Sequence, residues 1–118
     1  MLFYELSERQ SIKAATDALC LFLEEAGACA EKIFDSKLVA TELIENVFRH
    51  TQGAARLEGK IAEGLLELSV YSSGGGTPPT VSRKAEVFAE NGRGLFLIDS
   101  VCVSRSQSEG TVKVIIRL

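Results

Sequence analysis

The feature that most restricts how this chain can fold is a change of hydrophobic period near Gly53. Before it, Val39, Leu43 and Val47 recur every four residues, as do Ala40, Ile44 and Phe48. At about 3.6 residues per turn these positions merge into one broad apolar stripe, so Lys37–Gly53 predicts an amphipathic helix. Ser36 is placed to cap its start and Gly53 to end it. After Gly53 the period falls to two. Leu57, Gly59 and Ile61 alternate with Arg56, Glu58 and Lys60, and Leu66, Leu68 and Val70 alternate with Glu67, Ser69 and Tyr71. Glu63-Gly64 reads as the hairpin turn between two strands that each bury one face. A helix with one apolar stripe, followed by strands with one apolar face, predicts a helix layer on an antiparallel sheet.

The remaining segments extend that layout. Phe3–Leu6 is a strand candidate. Ser7-Glu8-Arg9-Gln10 has capping-box spacing, and Ile12, Ala15, Leu19, Phe22, Leu23 and Ala26 follow at helical intervals until Gly27. Ala28–Phe34 is a connector or a helical turn leading into the central helix. Tyr71–Asn91 breaks every period. It holds Gly74-Gly75-Gly76, Pro78-Pro79 and the cations Arg83 and Lys84. Such a run cannot be the interior of a regular element. A loop of about 20 residues is long for a compact domain, which makes it a candidate lid, with Phe88 to pin it. Leu95, Ile98 and Val101 then begin a short helix. Val101–Arg105 and Val112–Leu118 predict a last antiparallel pair turning at Ser108-Glu109-Gly110. The expected fold is α+β: a single domain over residues 1–118, a two-layer sandwich of a mostly antiparallel sheet with helices on one face.

Composition narrows the functional classes. A net charge of −3 lacks the basic surface that general nucleic-acid binding needs. No apolar run approaches the roughly 20 residues of a membrane span. Met1–Glu5 has neither the basic region nor the apolar core of a signal peptide. Cys20, Cys29 and Cys102 form no Cys-x-x-Cys pair, and one histidine leaves no zinc constellation. Free thiols fit a reducing cytoplasm, which is the expected compartment.

Three stretches carry candidate chemistry. Glu42, Glu45, Asn46 and Arg49 recur at i, i+3, i+4 and i+7 on the central helix, forming a polar stripe set opposite the apolar one. Glu42 stands one turn before Asn46, which sets a candidate base beside a candidate metal ligand on a rigid element. The plain reading of such a stripe is a solvated helix face. Ser72–Gly76 follows a strand, where the plain reading is a surface loop. Gly92-Arg93-Gly94-Leu95 precedes an apolar helix, whose unpaired N–H groups and positive dipole end suit phosphate. Its plain reading is a tight turn. It is not the Gly-x-x-x-x-Gly-Lys phosphate loop, and it lies too late in the chain for a dinucleotide fingerprint.

In this order the three stretches resemble the GHKL ATPase superfamily of gyrase, heat-shock chaperone, histidine-kinase and mismatch-repair ATPase domains. The likeness spans nearly the whole chain. It is closest to the small bacterial branch of anti-sigma factors and serine protein kinases that partner STAS-domain antagonists. Asn46-Val-Phe-Arg-His50 is similar to that branch's Asn-x-x-x-His, and Gly92-Arg-Gly-Leu-Phe-Leu-Ile98 is close to its typical form.

The resemblance implies a switch protein that binds ATP and Mg²⁺. It would hold a sigma factor or a STAS-domain antagonist, whose serine it would phosphorylate, and it would dimerise. Glu42 would be the general base and Asn46 the Mg²⁺ ligand. Ser72, Gly74 and Gly76 would form the first glycine box, and Gly92, Arg93, Gly94 and Leu95 would meet the phosphate chain. Arg83 and Lys84 would neutralise phosphate charge from the lid. His50 fits the pattern, and fits equally as a helix-end residue facing the dipole.

One position departs from the family. The first glycine box ordinarily begins with Asp, which accepts a hydrogen bond from the adenine amino group; here the residue is Ser72. A hydroxyl is shorter and uncharged. Losing a charged contact of this kind costs about 1–3 kcal/mol, or roughly one to two orders of magnitude in affinity. Two alternatives to the switch reading therefore stand. One is an interaction module on this fold with a degenerate nucleotide site, which Ser72 favours. The other is a detached catalytic domain of a phosphorelay, which the Glu-x-x-x-Asn pair and the short lid disfavour.

Overall fold

The computed structural model describes residues 1–50, 54–72, 98–108 and 110–118. It is an α+β sandwich, as the change of period predicts. Among the described residues five strands form one sheet: β1 (Leu2–Leu6), β2 (Ala55–Ala62), β3 (Leu65–Ser72), β4 (Ser104–Ser108) and β5 (Thr111–Arg117). Their order is β1-β2-β3-β5-β4, and every neighbouring pair is antiparallel. Helices α1 (Ile12–Glu25) and α2 (Ala30–His50) pack on each other. α1 also meets β1, while α2 lies across β2, β3 and β5.

The core is the contact between these layers. Leu57, Leu66, Leu68, Val114 and Ile116 from the sheet meet Leu19, Leu23, Ala40 and Ile44 from the helices, all fully buried. The register keeps each strand's apolar residues in line: Leu57 faces Val70, Leu68 faces Val114, and Leu66 faces Ile116. A slip of one residue would send each row to solvent, so the pattern fixes the pairing.

Local geometry follows the sequence closely at two places and departs at three. Glu63 and Gly64 both take positive φ, +53° and +75°, the conformation a two-residue hairpin turn requires. Gly27 closes off α1: its φ of +84° lets its N–H reach Glu24 O and the N–H of Ala28 reach Leu23 O, closing the last turn.

The three departures concern caps and boundaries. The central helix begins at Ala30, seven residues before the predicted start, so Ser36 is an interior residue. Its buried hydroxyl donates to Lys32 O at 2.7 Å. A serine inside a helix has that outlet one turn back, which makes it an ambiguous start signal. Ser7 does not cap α1 either. A 3₁₀ turn at Arg9–Ser11 intervenes, and no side chain caps either start. At the other end of the chain, residues 98–101 are helical, so Val101 does not begin the strand. Cys102 N–H donates back to Ile98 O at 3.0 Å, and the chain joins the sheet where Val103 N–H meets Ile115 O at 2.8 Å. Among the described residues no helix is long and apolar enough to cross a membrane.

Candidate functional site

Helical geometry sorts the polar residues of α2. Asn46 follows Val39 by seven residues, almost two full turns, so it lies nearly beneath Val39. It is correspondingly sunk, at 4% exposure, beside the apolar face. Glu42, one turn earlier, is half-buried at the margin. Glu45 lies further round and meets Arg9 at 3.7 Å, with side-chain exposures of 28% and 56%. The stripe expected to lie opposite the core is therefore split: Asn46 belongs with the buried face and Glu45 with the surface. Glu42, Asn46 and Arg49 each engage neighbouring groups.

Connectivity brings Asn46 toward Ser72. α2 ends at His50 and β2 begins at Ala55, so at most about 18 Å of extended chain separates those two residues. Asn46 is one turn, about 6 Å, back from that end. Ala55 pairs directly with Ser72, the last residue of β3. The C-terminal turns of α2 and the end of β3 thus occupy the same end of the sheet. The helical residues 98–101 enter the sheet at its other end, beside Ile115.

At the Ser72 end lies a cleft of about 400 Å³ lined by Glu5, Ala54, Ala55, Arg56, Tyr71, Ser72, Gly110 and Thr111. Pairing assigns these to two faces. Ala55 and Ser72 share the helix-covered face, while Glu5, Arg56, Tyr71 and Thr111 share the open one. Ser72 N–H donates to Gly110 O at 2.7 Å, which ties the end of β3 to the start of β5. Ser72 Oγ is buried and has no hydrogen-bond partner among the described residues. On the open side the Arg56 guanidinium lies 4.1 Å from the centre of the Tyr71 ring and 5.5 Å from that of Phe3, and its Nε meets Glu58 at 2.8 Å.

Of the residues singled out from sequence, Glu42, Asn46 and Ser72 lie within the described structure. Gly74, Gly76, Arg83, Lys84, Gly92, Arg93, Gly94 and Leu95 lie outside the described residues, as do Phe88 and all of the expected lid Tyr71–Asn91 but its first two residues, which belong to β3. Gly110, Thr111, Arg56 and Tyr71 were not legible as site residues. Gly110 and Thr111 join Ser72 only because β5 pairs with β3 across a long stretch of chain, whereas Arg56 arrives through the β2–β3 pairing and Tyr71 precedes Ser72 in β3.

The donor set on α2 suits a hard cation. Asn46 and Glu42 offer amide and carboxylate oxygens on adjacent turns, and hard cations take oxygen ligands. Ser72 lines the cleft, and its buried hydroxyl has no hydrogen-bond partner among the described residues.

A family model described as a histidine kinase-like ATPase domain matches residues 6–117. A chain of the SiaB–SiaC complex from Pseudomonas aeruginosa has a similar fold. Its TM-score is 0.66 at 16% identity, and the match covers 100% of this chain and 89% of that one. The Acinetobacter baumannii histidine kinase AdeS aligns with a TM-score of 0.48 at 13% identity, over 100% of this chain and 67% of that one. No curated protein sequence matches the chain.

Proposed function

Since the chain belongs to the histidine kinase-like ATPase domain family, we propose that it is a nucleotide-dependent regulatory switch that holds a protein partner. The observation that carries this reading is the placing of Asn46 and Ser72 at one end of the sheet, the first on the helix and the second on the strand paired to Ala55.

Asn46 would hold Mg²⁺ through its amide oxygen. Glu42, one turn earlier and half-buried, would orient the attacking hydroxyl and take its proton. Gly92, Arg93, Gly94 and Leu95 would supply phosphate contacts, with Gly74 and Gly76 beside Ser72 and with Arg83 and Lys84 as neutralising charges. Bound ATP and Mg²⁺ would supply the phosphoryl group and neutralise its charge.

The partner class is a sigma factor or a STAS-domain antagonist, and the compartment is the cytoplasm. The similarly folded P. aeruginosa chain comes from a complex of two proteins, an assembly of the kind proposed here. If the antagonist is a substrate, the reaction is serine phosphorylation. Ser72 favours a second reading, an interaction module whose nucleotide site has decayed.

Titration with Mg-ATP and incubation with a STAS-domain partner test the two readings together. The switch reading expects saturable binding that Asn46→Ala weakens by about tenfold or more. Glu42→Ala should leave binding nearly intact and remove phosphoryl transfer, because a base acts on the reaction more than on ground-state affinity. Partner capture without any nucleotide binding would favour the module.

A further inference from the structure

We propose that the open face of the sheet carries a second site, separate from the nucleotide site proposed above, that binds a phosphoryl group, either free phosphate or a phosphate monoester. The site is a cleft of about 250 Å³ lined by Tyr71, Ser106, Gln107, Ser108, Thr111 and Lys113.

Strand pairing puts the polar side chains of this cleft on one face. Thr111 is the direct partner of both Tyr71 and Ser108, and Lys113 is the partner of Ser106. Alternate residues of a strand share a face, so Thr111 goes with Lys113 and Ser108 with Ser106. All five stand on the open face, at the β3–β5–β4 side of the sheet. Directly paired side chains start about 4.5–5.5 Å apart. Four hydroxyls and one ammonium are thus gathered from three adjacent strands. Glu42 and Asn46 belong to α2, which lies on the other side of the sheet.

The cleft is a set of donors. A hydroxyl rotates to donate, and an ammonium has three donors and no acceptor. None of the six lining residues is acidic, in a chain whose net charge is −3. Among the described residues none of the four hydroxyls is committed to another side chain. Lys113 meets Glu67 at 3.1 Å, but both side chains are nearly half exposed and such a pair is weak. Glu67 stands outside the lining, and the ammonium keeps donors for a ligand. The adjoining cleft shares Tyr71 and Thr111 but is lined by Glu5 and Arg56, and Arg56 is taken up by Glu58 and by the Tyr71 ring. A phosphoryl group turns three strong acceptor oxygens to different sides, which matches donors arriving from three strands. Lysine serves phosphate as a point charge. A carboxylate has two oxygens in one plane and would leave part of the set unused.

Amide NMR titrations of the full chain test the proposal, at low and constant ionic strength with no nucleotide present. The probes are inorganic phosphate, O-phosphoserine and acetate. Phosphate or O-phosphoserine should saturate with a dissociation constant of about 1 mM or tighter, with the shifts centred on Tyr71, Ser106, Ser108, Thr111 and Lys113. Acetate should bind about tenfold more weakly. Tighter binding of O-phosphoserine assigns the site to a phosphoryl group carried by a larger molecule, and tighter binding of inorganic phosphate assigns it to the free ion. Lys113→Gln should weaken binding by about tenfold, and Ser106→Ala with Ser108→Ala by a similar factor. Glu67→Gln should tighten it by releasing Lys113. Lys13→Gln removes the same charge from α1 and should change nothing. Failure to saturate, shifts scattered over the surface, equal weakening by Lys13→Gln and Lys113→Gln, or unchanged affinity in a folded Lys113→Gln protein would overturn the proposal. The nucleotide reading would stand in each of these cases.

Discussion

The two faces of the sheet are built from the same strands and do different work. On the helix-covered face Leu57, Leu66, Leu68, Val114 and Ile116 lose all contact with water. On the open face the side chains between them form pairs: Arg56 with Glu58 at 2.8 Å, Lys113 with Glu67 at 3.1 Å, and Arg56 stacked on Tyr71. Burial of a large apolar side chain contributes about 1.5–3 kcal/mol, whereas an exposed ion pair contributes about 0–1 kcal/mol. The covered face therefore carries the fold, and the open face is free to vary without unfolding it.

Ile115 and Ile116 give the sharpest test, because adjacent residues of β5 point to opposite faces. Ile116 is fully buried and Ile115 half-buried. Ile116→Ala should cost about 2–5 kcal/mol in urea unfolding. Ile115→Ala should cost about 1 kcal/mol, in proportion to the smaller area it hides. Equal losses would mean that the open face is packed after all.

Arg56→Ala comes next. It removes the stack on Tyr71 and the pair with Glu58, for a loss of about 1 kcal/mol. Thermal melts read it directly, and Arg56→Lys should recover only part, since an ammonium cannot stack as a flat guanidinium does. Smaller still is the Lys113–Glu67 pair, with exposures of 45% and 42%. A double-mutant cycle should give about 0.2–1 kcal/mol at low salt and close to nothing at about 1 M salt.

The margin of the core supplies the last test. Burial, with a smaller effect from Asp99, pushes the Cys102 thiol up to about 11. The folded state therefore keeps this proton when the unfolded chain, nearer 9, has released it. Stability contributed here is whole below pH 9 and declines as pH rises toward 11. Cys102→Ala should flatten that part of the pH–stability curve relative to wild type. Exposed Cys29 should react with a thiol reagent well before Cys102.

The covered face was legible in the sequence because its signal is repetition. Leu66, Leu68 and Val70, or Val39, Leu43 and Val47, announce a face by spacing alone. The candidate site was legible only in part. Glu42 and Asn46 could be placed one turn apart, yet the depth of Asn46 depends on where the apolar arc ends, and polar residues at its edge do not declare which side they join. Ser36 and Ser7 show the same difficulty, since a hydroxyl that can cap a helix can also bond within one. Thr111 and Gly110 could not be linked to Ser72 at all, because strand adjacency across a long separation leaves no local trace.

The strand order has a consequence for cooperativity. β1, β2 and β3 form one antiparallel run and β4 and β5 another; within the described sheet the β3–β5 ladder joins them, through Leu66–Ile116, Leu68–Val114 and Val70–Val112. About forty residues separate the end of β3 from the start of β5, so this seam carries a large loop-closure entropy, second in the sheet to that of the β1–β2 pair. That entropy rises only logarithmically, by about 0.6 kcal/mol for each doubling of the intervening chain. Insertions between the two strands are therefore cheap to accommodate, while loss of side-chain fit along the seam leaves α2, which lies across β2, β3 and β5, to hold the two runs together.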